Sequence, residues 1–223
     1  LAQREFGADA APDAVEAWKH WSEAILDYVP TSEGQYGPFR VGPAYPLLLS
    51  DEPIDFPSAD FAHFGGESGI VKTNYRPRDP SVIDGQIGCL EAMAERWTQG
   101  LVLMKRAVEL TPEHKSENGL RMQVLGEFIL CCVRTAIHVK QWWKLKQELQ
   151  AADKDTKAEI LKRMKALAEA EIENTSAAIP LVDYDSRLGW EPSMEYMADR
   201  AHLEWKIAQV RHMLDVEMAE QQS

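Results

Sequence analysis

The sequence predicts an all-α protein: a bundle of four to five long helices with a long Gly/Pro-rich irregular excursion after the first. Two observations predict the bundle. Apolar residues recur at spacings of three and four over most of the chain, one stripe per helix. Connections between the stripes are short, which favours antiparallel neighbours. A third observation predicts the excursion. Most of the glycines and prolines fall between Pro30 and Gly88, a density that prevents long helices.

The elements follow in order. Helix one spans 12–28, with Pro12 in its first turn, Asp9 or a neighbour as cap, and Ala14, Trp18, Trp21, Ile25 and Tyr28 as its stripe. The irregular segment covers 30–80; a run that long inside a compact domain is usually functional. A helical core then fills 81–219. Helix two spans 81–110 around Leu90, Trp97, Leu101 and Met104, and Thr111-Pro112 ends it. Helix three spans 116–151, with Leu120, Val124, Phe128, Cys131, Thr135, His138, Trp142 and Leu145 inward and Leu125 widening the stripe. Helix four spans 156–178, around Ile160, Met164, Ala168, Ile172 and Thr175. Helix five spans 193–219, with Ser193 as its cap and Met197, Leu203, Ile207 and Val210 inward. All of this reads as a single helical domain, 1–223, with no internal repeat.

Composition narrows the partners. The 223 residues carry a net charge of −12, which argues against nucleic acid or an anionic membrane surface. No uninterrupted apolar run approaches the roughly 18 residues of a membrane span. The three cysteines, Cys89, Cys131 and Cys132, read as buried thiols without a disulfide framework, which favours a reducing compartment such as the cytoplasm. The six histidines form no His-Glu-x-x-His pattern and no Cys-x-x-Cys is present, so no metal and no cofactor is expected. Gly-x-Ser-x-Gly is absent too. The chain starts with Leu1 rather than Met, which suggests a processed chain or a piece of a longer protein.

Three segments stand out chemically. Residues 183–197 pack Asp183, Asp185, Arg187, Trp190, Glu191 and Glu195 around Gly189. Carboxylates and a planar guanidinium match sugar hydroxyl edges, and an indole matches a sugar's CH face. The bland alternative is a turn between two helices in which Arg187 simply pairs with Asp185. Residues 36–46 alternate Gly-Pro steps with Tyr36, Arg40 and Tyr45, which could project together into a cleft. The alternative there is a loop wrapped on the bundle, with Phe39 and Val41 as plugs. His63 to Gly69 could form an anion nest, but a plain turn fits better. Asn174-Thr175-Ser176 matches a glycosylation sequon inside a helix. Glu191 and Glu195 could share a helix face, with nothing to place them across a substrate.

Glu173 through Met197, Leu203-Glu204-Trp205-Lys206, and an early pattern of Phe6-Gly7, Ala10-Ala11-Pro12, Ala17-Trp18, Trp21-Ser22-Glu23-Ala24, Tyr36-Gly37-Pro38 and Gly42-Pro43-Ala44 resemble the C-terminal region of large microbial proteins classed as glycoside hydrolases. In those proteins a hexosaminidase-like or α-glucuronidase-like barrel precedes a helical region. A (β/α)₈ barrel needs about 250 residues and eight strand patterns, which this chain lacks. The resemblance therefore implies the helical part after the barrel, not catalytic by itself, with catalytic residues unknown. It implies an apolar docking patch for the barrel, and Tyr36, Arg40, Asp185, Arg187, Trp190 and Glu191 as substrate-lining residues. The implied partners are the catalytic domain of the same parent protein and a carbohydrate ligand. The rival is a stand-alone helical interaction or homo-oligomerisation module, with surplus tryptophans as interface anchors. A complete small enzyme is a third reading.

Overall fold

The computed structural model describes residues 1–28, 37–50, 75–190 and 197–220. The described residues are helical with no strand, in agreement with the all-α reading. The helices are α1 (Ala2–Phe6), α2 (Ala11–Ala24), α3 (Pro38–Val41), α4 (Ile83–Leu110), α5 (Ser116–Ala151), α6 (Lys154–Tyr184) and α7 (Arg200–His212). The last continues through a π-turn, Met213–Glu217, into Met218–Glu220.

Spatial order follows chain order. α2 packs on α4, α4 on α5, α5 on α6, and α6 on α7. Polar ties across each pair show that neighbours run antiparallel. Asp13 meets Arg106 and Asp27 meets Arg96 across α2, its terminal turn and α4. The Trp97 indole donates to Gly126 O and Gln141 to Glu91 across α4 and α5. Arg163 reaches Glu148, and Asn174 reaches Cys131 O, across α5 and α6. Arg200 meets Asp183 and Lys206 meets Glu171 across α6 and α7. Short connections join α4 to α5 and α5 to α6, which favours antiparallel packing of those pairs.

One tryptophan relay locks the first three layers. Trp21 of α2 stacks on Trp97 of α4 with centroids 5.1 Å apart. Its indole N–H donates to Trp97 O at 3.1 Å, and the Trp97 indole N–H donates to Gly126 O at 2.7 Å. Buried indoles need such acceptors. α5 is apolar enough to pass as a membrane span by length and composition, but 61% of its most apolar window is buried inside the protein. It is the central helix, covered by α4, α6 and the 37–50 segment.

The sequence-based boundaries hold best where a stripe is long. α5 matches 116–151, and Thr111-Pro112 ends α4. Elsewhere the structure corrects them. α1 was not anticipated; five residues are too short to show a period. Ala10, not Asp9, precedes α2, with no side-chain cap. Ile25, Leu120 and Leu125 are exposed although they fall on predicted stripes. α6 runs through Pro180 to Tyr184. The missing proline N–H costs one helical bond, while buried Ala178, Leu181 and Val182 hold that turn against the core. α7 begins at Arg200, where Asp199 accepts from His202 N at 3.0 Å; Ser193 lies outside the described residues. All three thiols are free, but Cys89 is exposed, on the solvent side of α4.

Within the irregular segment, residues 41–48 are buried. Val41, Ala44, Tyr45 and Leu47 are buried against α5, α6 and α7. Gly42 has φ 70°, a conformation that glycine adopts without steric cost, and a side chain there would also meet Cys132 Sγ at 3.0 Å.

Candidate functional site

Two polar constellations emerge from the fold, one sealed and one open. The sealed one centres on Glu171 of α6, fully buried together with Lys206 of α7. Glu171 Oε1 accepts from Thr135 Oγ1 at 2.7 Å and from Lys206 Nζ at 2.9 Å. Its Oε2 lies 2.6 Å from His138 Nδ1. The Lys206 ammonium also donates to Pro43 O at 3.3 Å and to Tyr45 O. Thr175 Oγ1 adds a second bond to Pro43 O at 3.2 Å, and Asn174 donates to Cys131 O and Thr135 Oγ1. The Asn174 side chain is thus enclosed in the core, and the sequon is a structural residue.

Burial pushes the Glu171 carboxyl up, but Lys206 and His138 together outweigh it and hold the group below the ordinary carboxylate range. Burial likewise pushes the Lys206 ammonium down, and the pull of Glu171 only partly offsets this. The two shifts oppose each other. The ion pair is the state that fits the geometry, because three acceptors surround the ammonium. With both side chains fully buried and the ammonium bonded to the Pro43 and Tyr45 carbonyls, this constellation fastens the 37–48 segment to the bundle.

The open constellation is a groove of about 640 Å³ where α1, α2 and α5 meet the turn after α6. Phe6, Trp18, Met122, Leu125 and Leu188 form its apolar wall, and Glu5, Asn118, Arg121, Asp185 and Arg187 its polar edge. It continues past Glu117 and Tyr184. Each wall has a local cause. Phe6 is buried at the end of α1 and meets Trp18 edge-on, centroids 5.8 Å apart. Lys115 fastens the end of α1 by donating to Gln3 O and Arg4 O. Asp185 ends α6 and accepts from the Arg187 backbone at 3.2 Å, starting the turn Ser186–Gly189. Gly189 closes that turn. Its carbonyl accepts from Met197 N and Ala198 N, and a side chain there would meet the Ala198 backbone at 2.9 Å.

The Arg187 guanidinium donates through Nε and Nη2 to both oxygens of Asp185, at 2.8 and 2.6 Å. This fork holds the Asp185 carboxyl below its ordinary range and leaves Arg187 extended, 72% exposed. Arg121 pairs with Glu117 at 2.6 Å, and Asn118 donates to Glu5 at 3.2 Å. Trp18 differs from the core tryptophans. Trp21, Trp97 and Trp142 each donate their indole N–H to a backbone carbonyl. Trp18, half-buried, has no such bond among the described residues.

Of the residues singled out from sequence, Asp185 and Arg187 meet in the groove. Trp190 is half exposed at the end of the same turn and does not line it. Arg40 is exposed on α3, away from the groove lining. Tyr45 is fully buried, which corrects its projection into a cleft: its backbone is a Lys206 acceptor. Val41 plugs the core, as the wrapped-loop reading anticipated. Tyr36, Glu191, Glu195, Ser193 and the His63–Gly69 nest lie outside the described residues. Phe6, Trp18, Asn118 and Arg121 were missed as site residues. The signal for Trp18 was its place at the polar border of the α2 stripe.

Among the described residues no group of three or more His, Cys, Asp or Glu side chains is placed to hold a metal. Compared with family models, curated proteins and solved structures, the chain matches none. The fold and site together define an all-α domain with an open groove that is apolar on one wall and charge-paired on the other.

Proposed function

We propose that this chain is a helical C-terminal domain of a carbohydrate-active enzyme, a glycoside hydrolase, that contacts sugar through the α1/α2/α5 groove and leaves bond cleavage to a catalytic barrel. The observation that carries this reading is a convergence. The early and late segments that resemble glycoside hydrolase tails lie far apart in sequence, yet Phe6 and Trp18 from one and Asp185, Arg187 and Leu188 from the other line one groove. The groove's size suits a small ligand. An indole face with an available N–H, beside carboxylates and guanidiniums, offers what a pyranose needs: a platform for its CH face and donors and acceptors for its hydroxyls.

A glycan array probed with the purified chain, and with Trp18→Ala and Arg187→Ala, tests it. The expected outcome is retention of one glycan class by the parent chain and loss of that signal in both variants. An array with no signal, or one that Trp18→Ala leaves intact, would sink the reading.

A different observation favours the helical interaction module. Val15, Ile25 and Leu26 are exposed along α2 and its terminal turn, Leu26 by 83%. Exposed aliphatic side chains in one stretch are a common mark of a protein interface. Light scattering across a concentration series would favour this second reading if a dimer forms and Leu26→Ser disperses it.

A further inference from the structure

Resting on the carbohydrate reading, we infer that the groove is built for a neutral glycan and discriminates against uronates and sulfated sugars. Guanidiniums at a sugar site usually suggest an anionic ligand, but here both are already neutralised. Arg187 forms a two-pronged pair with Asp185, and Arg121 pairs with Glu117. Glu5 is the remaining charged side chain of the lining, and it faces Asn118 on one oxygen and Arg4 on the other. The carboxylates of Glu5, Glu117 and Asp185 in the groove lining and its continuation are therefore each already paired with a guanidinium, that of Arg4, Arg121 and Arg187 in turn. A ligand carboxylate or sulfate would have to displace one of these acids or sit beside it, against like-charge repulsion.

A hydroxyl needs no such displacement. Arg187 keeps Nη1 clear of the Asp185 fork, since only Nε and Nη2 bind the carboxylate. Arg121 uses only Nη2 toward Glu117. Each carboxylate keeps lone pairs beyond those its partner uses. Paired donors and acceptors on one edge match vicinal hydroxyls, which both donate and accept. The opposite wall of Trp18, Met122, Leu125 and Leu188 matches the apolar face of an uncharged pyranose and gives an anionic substituent no partner.

Calorimetric titration of the full chain tests this, with cellotriose, maltotriose and chitotriose set against trigalacturonate and a sulfated trisaccharide, at low and high salt. The expected result is binding of at least one neutral sugar at least tenfold tighter than either anion. That binding should be insensitive to salt and lost in Trp18→Ala. Tighter binding of an anionic sugar, weakened by salt and abolished in Arg187→Gln, would overturn the inference and leave the carbohydrate reading standing. Absence of heat with every sugar would overturn both.

Discussion

Lys206 and Glu171 form an ion pair 2.9 Å apart with both side chains fully buried, and the same ammonium binds the carbonyls of Pro43 and Tyr45. One cation thereby joins α7, α6 and the 37–48 segment. Removing one partner strands the other charge in the core. Lys206→Met should therefore cost about 3–5 kcal/mol of stability, read as a lower denaturant midpoint. The double variant Lys206→Met, Glu171→Leu should recover much of that loss, since it strands no charge. A single variant as stable as the parent would contradict the assignment.

Acid should act through the same pair. The folded-state pKa of Glu171 lies below its ordinary value of 4.5. A depressed carboxylate stabilises the fold fully above the unfolded pKa, and that contribution disappears as pH falls through the folded one. Stability should decline as pH drops below about 4.5. Asp199, also depressed against the opposing effect of burial by its bonds to His202, acts in the same direction. In Lys206→Met, Glu171→Leu the acid limb should be shallower, measured by thermal melts from neutral pH downward.

Trp21 leaves no room for a methyl group on either neighbouring helix. A Cβ at Gly100 would lie 2.5 Å from Trp21 Nε1, and one at Gly126 would lie 2.6 Å from Trp21 Cζ2. Overpacking a core in this way costs about 1–3 kcal/mol. Gly100→Ala and Gly126→Ala should each destabilise by that order and disturb the near-ultraviolet circular dichroism of the stacked indoles. Gly88→Ala, with nothing within 4 Å of the new methyl, is the control: it should be neutral or slightly stabilising by helix propensity.

The thiols should separate by exposure. Cys89 is exposed, whereas Cys131 and Cys132 are buried. Burial pushes the Cys131 thiol up to about 12 and raises Cys132 as well. Only the thiolate reacts. In native buffer, Ellman's reagent should titrate one thiol per chain quickly. In guanidinium it should titrate all three. Rapid native reaction of more than one would mean that α5 opens readily.

Periodicity made the long helices legible. Val124, Phe128, Cys131, Trp142 and Leu145 fall on one face of α5 and are buried, so its bounds follow from the stripe. Charge was harder to place. Glu171 and Lys206 look like the solvated flank of their helices, and only tertiary structure joins residues 35 positions apart. The bond between Arg187 and Asp185 was legible because both lie on one turn. Its groove was not, because the other walls come from α1, α2 and α5. Trp18 and Trp21 share a stripe in sequence, yet one lines a surface groove and the other fills the core; a period of 3.6 does not distinguish a stripe's edge from its centre.

The most direct test of the carbohydrate account is a titration of the ¹⁵N-labelled chain with cellotriose, maltotriose or chitotriose, following the indole N–H resonances. The account predicts that the Trp18 resonance moves with saturable amplitude, while Trp21, Trp97 and Trp142, whose indoles are bonded in the core, stay in place. A silent Trp18 with every sugar, or shifts confined to other indoles, would contradict it.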